Sequence, residues 1–124
     1  MINDYIGIPF EQLDCYGLVR HIYKTEHGIN LLDPNIKYDE NVRIYHNFAY
    51  EVSKNWQRCQ AKKGAVVAIR YNMEHPRFVT HFGYCINEFS FIHTTKETGA
   101  IVEKLSNIQN LIEGFYEYNN NHTA

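Results

Sequence analysis

Phe78-Val79-Thr80-His81-Phe82-Gly83-Tyr84-Cys85-Ile86, then Asn87-Glu88, then Phe89-Ser90-Phe91-Ile92-His93-Thr94-Thr95: this stretch reads as two β-strands folded into a hairpin. Side chains alternate between the faces of a strand, so Thr80, Phe82, Tyr84 and Ile86 share one face. Val79, His81, Gly83 and Cys85 share the other. The greasier face is the one without the histidine, and Gly83 leaves a gap on the histidine face where a helix end could approach. A parity rule links His81 to His93. The two pair directly only if the hairpin loop holds an odd number of residues. A three-residue loop at 86–88 sets them opposite each other, roughly 5 Å apart at Cβ. A two-residue loop at 87–88 puts them on opposite faces.

Working outward, residues 65–71 (AVVAIRY) form a valine-rich apolar run and read as a strand, 72–77 as loop, and 100–105 (AIVEKL) as a further strand. The spacing predicts a short helix over 107–113 and a polar, frayed tail. Upstream, residues 1–13 read as an irregular lead-in with Gly7 and Pro9. A helix is expected to start near Asp14, because Cys15, Leu18, Val19 and Ile22 fall at i, i+3, i+4 and i+7. Asp14 suits its N-cap and Gly28 its stop. Val42, Tyr45, Phe48, Ala49 and Val52 predict a second helix over 41–56, and Lys62-Lys63-Gly64 a turn. Helices first and a mostly antiparallel sheet afterwards make an α+β arrangement, read as one domain over 1–124.

The 124 residues carry a net charge of −2 with no long basic run, which gives no argument for nucleic acid or an anionic membrane. No apolar stretch reaches membrane-span length, and Asn3, Asp4 and Glu11 interrupt any signal-like start. The expectation is a chain without a membrane-spanning segment or a classical signal peptide. Three cysteines, Cys15, Cys59 and Cys85, are too few and too odd in number for a disulfide framework. With no C-x-x-C pair, and no zinc-like spacing among His21, His27, His46, His75 and His122, no metal and no cofactor is expected.

Cys15 is the informative cysteine. At a helix start, unpaired backbone N–H groups favour negative charge and can lower a thiol pKa from about 8.5 toward neutrality. Asp14 opposes this, so a protonated histidine close to the sulfur is needed. The same N–H groups can help form an oxyanion hole. Gly17 leaves room for another element at that turn. His81 is the candidate base and His93 the residue that orients it.

Several separated blocks now form an ordered set: Gly7-Ile8-Pro9-Phe10, Asp14-Cys15-Tyr16-Gly17-Leu18-Val19, Gly28-Ile29-Asn30-Leu31, Gly64-Ala65-Val66-Val67, His81-Phe82-Gly83-Tyr84 and Phe91-Ile92-His93-Thr94. Over about residues 5–105 the chain resembles the NlpC-type cell-wall peptidases, a branch of the papain-like cysteine hydrolases. The resemblance implies a papain-like α+β fold, N-terminal helices packed on a mostly antiparallel sheet. It implies Cys15 as nucleophile, His81 as base and His93 as third member. Its usual partners are peptidoglycan stem peptides, cut at a bond such as D-glutamate to a diamino acid. Phe10 stands where the family has a tyrosine, and Tyr16 where it has a serine. Phe10, Tyr16 and Tyr5 are the expected substrate-binding residues. Ala65 replaces the family aspartate, and the W-G-G stretch before the cysteine is missing. Tyr16, the wording through Arg20, and Glu113-Gly114-Phe115-Tyr116 look most like the branch found in tailed-phage tail tips. Other tail-tip proteins are therefore expected partners, and the virion tail tip or host cell the expected location. A catalytically silent structural or wall-binding tail-tip module of the same fold is the alternative. An acyltransferase or amidase acting on another amide is a third reading.

Overall fold

The structure, a computed structural model, describes residues 1–31 and 55–119. A short 3-10 turn, Ile2–Tyr5, precedes α1, Cys15–Ile22, the single α-helix among the described residues. Asp14 starts α1 as expected: its backbone is extended and its carboxylate accepts a hydrogen bond from the Gly17 N–H at 2.8 Å. A Cβ on Gly17 would lie 2.9 Å from Asp14 Oδ1. The room at Gly17 is thus filled by the capping carboxylate itself, not by another element. Cys15, Leu18, Val19 and Ile22 form the buried face. The chain then widens into one π-helical turn, Tyr23–His27, and stops at Gly28, whose φ of 67° is left-handed. Of the expected N-terminal helices, this is the one seen. The second, over 41–56, falls almost wholly outside the described residues, and its last position, Trp56, opens a strand.

Among the described residues six strands make one sheet: β1 (Trp56–Cys59), β2 (Val66–Ile69), β3 (His81–Cys85), β4 (Ser90–Thr95), β5 (Gly99–Lys104) and β6 (Ile112–Tyr118). Their order is β1-β6-β2-β3-β4-β5, and every neighbouring pair is antiparallel. β6 corrects the sequence reading. Residues 105–111 form a 3-10 run, and 112–118 form a strand between β1 and β2, where a short helix over 107–113 was expected and 114–118 had no assignment. Both faces of the sheet are covered. Leu18, Val19 and Ile22 of α1 pack with Ala68, Phe82, Tyr84 and Ile92 on one side. Val67, Ile69, Cys85 and Phe91 pack beneath Leu105 and Ile108 on the other. Two covered faces explain why β2 is an unbroken apolar run without alternation.

The lead-in is tied to the far edge. Gly7 N–H donates to Ala100 O and Ala100 N–H to Ile8 O, each at 2.9 Å. This short bridge blunts the open edge of β5 and holds the chain that leads into α1.

Candidate active site

The hairpin register decides how the histidines meet. Tyr84 pairs with Ile92 and Cys85 with Phe91, and the Ile86 N–H donates to Ser90 O at 2.9 Å. The loop is therefore three residues, 87–89, capped by Asn87 Oδ1, which accepts from the N–H groups of Phe89 and Ser90 at 2.8 and 2.9 Å. The odd count keeps His81 and His93 on one face. Its placement one residue later than expected sets Gly83, not His81, opposite His93. The histidines are diagonal neighbours, and they join through their rings: His81 Nε2 lies 2.8 Å from His93 Nδ1. The gap at Gly83 is filled by Phe91, not by a helix end. A Cβ there would lie 2.5 Å from Phe91 Cδ2. The Phe91 ring in turn stacks on His93, with centroids 4.4 Å apart.

The ladder between β3 and β4 stops at Tyr84–Ile92, short of the histidine end. The Cys85 N–H points to the β2 side, donating to Ala65 O, just before β2, at 2.8 Å. By alternation the Phe82 N–H points toward β4. With the ladder ended, that N–H supports the Cys15 sulfur instead, together with the N–H groups of Cys15 and Tyr16. The opened strand pair thus brings the start of α1 to the residue next to His81.

The pocket is dry. Cys15 is 2% exposed, His81 0% and His93 2%. Burial, then the neighbouring Asp14 charge, pushes the Cys15 thiol up to about 12; the three backbone N–H groups pull the other way and lose. Burial, then His93, pushes His81 down to about 3. Burial also lowers His93, with Glu103 opposing. The thiolate expected from the helix start is therefore not the resting form. Burial thus favours the neutral form of the thiol and of both imidazoles. His81 Nδ1 is buried without a hydrogen-bond partner among the described residues, so the resting thiol is not bonded to it. Such contacts are often long before substrate binds. Tyr71 stacks on the His81 ring at 4.8 Å.

The expected substrate contacts are dispersed. Tyr16 adjoins Cys15 and meets Phe82 edge-on, with centroids 5.6 Å apart. Phe10 is buried, with the Lys96 ammonium 6.0 Å from its ring centroid. Tyr5 is buried beside the later part of α1. Its ring meets His21, and its hydroxyl donates to Glu26 at 2.8 Å. Sequence reasoning missed one residue: Glu103 on β5, whose Oε1 lies 2.7 Å from His93 Nε2. Only the register across the β4–β5 turn, which pairs Phe91 with Glu103 and His93 with Ile101, reveals it.

A cysteine at the first turn of a helix, laid against an antiparallel sheet that carries a bonded histidine pair, defines an α+β fold of one recognisable class. The profile of the NlpC/P60 family matches residues 4–118, and the chain belongs to that family. No curated protein matches the chain. Among solved structures, the chain is similar to a crystal structure from Staphylococcus aureus described as similar to lipoprotein, NLP/P60 family. The TM-score is 0.63 at 19% identity, over 94% of this chain and 38% of that one. The chain thus spans well under half of that protein, and the likeness concerns the fold. Among the described residues, no helix is long and apolar enough to cross a membrane.

Proposed function

We propose that this chain is a cysteine peptidase that hydrolyses amide bonds in peptidoglycan stem peptides. The observation that carries the reading is the seat of Cys15: the first turn of α1, against the Phe82 N–H, where the β3–β4 ladder ends beside the bonded His81–His93 pair.

In this mechanism Cys15 Sγ attacks the amide carbonyl carbon as its proton passes to His81 Nδ1, the ring nitrogen that His93 does not engage. The Cys15 and Tyr16 N–H groups, which support the sulfur at rest, turn to the developing oxyanion as Sγ bonds to carbon. The C–N bond breaks, and His81 returns the proton to the leaving amine. Water then attacks the thioester, losing a proton to His81. The carbon–sulfur bond breaks, the acid departs and the thiol is restored. Positioned acid–base catalysis of this kind contributes roughly 10²–10⁴-fold. The raised thiol and lowered imidazole keep both partners neutral at rest, so the proton leaves sulfur only as the carbon–sulfur bond forms.

Tyr16, Phe10 and Tyr5 are the candidate substrate contacts; Tyr16 has the strongest support, since it adjoins the nucleophile. The Cys15–Arg20 wording and the Glu113–Tyr116 segment support a place at a phage tail tip, with other tail proteins as partners. The test is mass spectrometry of purified peptidoglycan after incubation with the protein. Release of new stem-peptide ends supports the peptidase and identifies the bond. The burial of Cys15 favours a second reading, a silent wall-binding module. Binding to the wall without release of any peptide would establish that reading in place of the first.

A further inference from the structure

We propose that Glu103 is a positioning residue that sets the direction of the hydrogen-bonded chain through His93 to His81, and so leaves His81 Nδ1 bare. The inference rests on the peptidase reading for its consequence, and on geometry for its substance. A carboxylate can only accept. With Glu103 Oε1 2.7 Å from His93 Nε2, that nitrogen carries the hydrogen. His93 Nδ1 then holds a lone pair and accepts across 2.8 Å from His81 Nε2–H. A neutral imidazole has one N–H, so His81 Nδ1 is left as the acceptor. That nitrogen is the one buried without a partner among the described residues, free to take a proton.

The surroundings hold this arrangement. Asn107 Nδ2 donates to Glu103 Oε2 at 3.3 Å, leaving Oε1 for His93. Phe91 stacks on the His93 ring and Tyr71 on the His81 ring, so neither histidine turns freely. The groups that meet His93 are His81, Glu103 and Phe91. Those that meet His81 are His93 and Tyr71. Glu103 is the acid in this chain, so it alone breaks the symmetry between the two possible directions.

The experiment is nitrogen-15 NMR of the histidine rings in the full chain, with hydrolysis kinetics alongside. In the wild type, His81 is expected protonated on Nε2 and bare on Nδ1. Glu103→Gln places a group that can donate as well as accept against His93 Nε2. The chain can then run in reverse, and a population of His81 protonated on Nδ1 is expected. That population cannot act as base, so kcat on a stem peptide falls in proportion to it, about twofold where the two directions are equally populated, while KM stays near its original value. Glu103→Asp, which keeps a pure acceptor, is expected to keep the wild-type tautomer and to recover part of kcat. A wild-type His81 protonated on Nδ1 overturns the proposal, as does a Glu103→Gln protein with unchanged tautomer and unchanged kcat. If the wild-type tautomer is as stated but no stem peptide is cut, the peptidase reading fails and the role of Glu103 stands.

Discussion

Adding one methyl group at Gly83 tests whether Phe91 holds the histidine pair. A Cβ at Gly83 would lie 2.5 Å from Phe91 Cδ2, and ordinary contact begins at 3.4 Å, so the ring must retreat by 3.4 − 2.5 = 0.9 Å. It cannot swing into solvent, because Phe91 is fully buried among Ile69, Cys85 and Leu105. The Ile92 carbonyl, 3.2 Å from the same Cβ, blocks the backbone side. The remaining neighbour is the His93 ring, stacked at 4.4 Å. Overpacking of this kind costs about 1–3 kcal/mol. With an m-value of about 1–3 kcal/mol/M, Gly83→Ala should lower the urea midpoint by roughly 1 M while leaving m unchanged. His93 should move with the ring, so the His93 NMR signals should shift. In a Phe91→Leu background the clash is relieved, and Gly83→Ala should cost less there than in the wild type. A neutral Gly83→Ala, or an equal cost in both backgrounds, would refute the reasoning.

Two further predictions concern charge. His81 falls to about 3 on folding from 6.5, so between those values the unfolded chain binds the proton first. Stability should decline as pH drops through that window, by up to about 1.4 kcal/mol per pH unit, and His93 acts in the same direction. Cys15 rises from 9 to about 12, so stability should also decline above pH 9, where the unfolded thiol ionises first. Urea midpoints measured from pH 4.5 to 10 check both arms, and a flat profile between pH 7 and 5 would contradict the buried neutral histidines. Asp14→Ala removes the cap of α1 and should cost about 0.5–2 kcal/mol by thermal or urea unfolding. Asp14→Asn keeps a capping oxygen but removes the charge that is the second cause of the raised thiol. It should leave stability near wild type while shifting the pH profile of Cys15 alkylation downward; identical profiles would show that the Asp14 charge does not reach the sulfur.

Much of this was legible in local sequence. Asp14, the spacing of Cys15, Leu18, Val19 and Ile22, and Gly28 bracket α1 together with the π-helical turn that continues it. The hairpin was legible too, but parity left two outcomes open, and only the register set both histidines on one face. The sequence left undetermined which residue begins the loop, because Asn87 can cap a loop at 87–89 as readily as it can sit in a shorter turn. That single-residue choice turns a direct histidine pair into a diagonal one. β6 was misread because its partners are distant: it pairs with 56–59 and 66–69. Its alternating Gly114, Tyr116 and Tyr118 carried a weak strand signal, and Gly114 itself lies where a Cβ would meet the Arg58 guanidinium. Glu103 was invisible for a similar reason, since its neighbour is set by register across a turn. The resting state of Cys15 was also out of reach. The helix start and Asp14 were readable, but burial outweighs both, and burial belongs to the folded chain.

The central claim is that Cys15 is the nucleophile, and substitution of each cysteine in turn tests it most directly. Peptidoglycan digestion is followed for the wild type, Cys15→Ala, Cys59→Ala and Cys85→Ala, with circular dichroism confirming that each variant is folded. The account predicts that folded Cys15→Ala releases no stem-peptide fragments, while Cys59→Ala and Cys85→Ala still do. Fragment release by Cys15→Ala at the wild-type rate would contradict it.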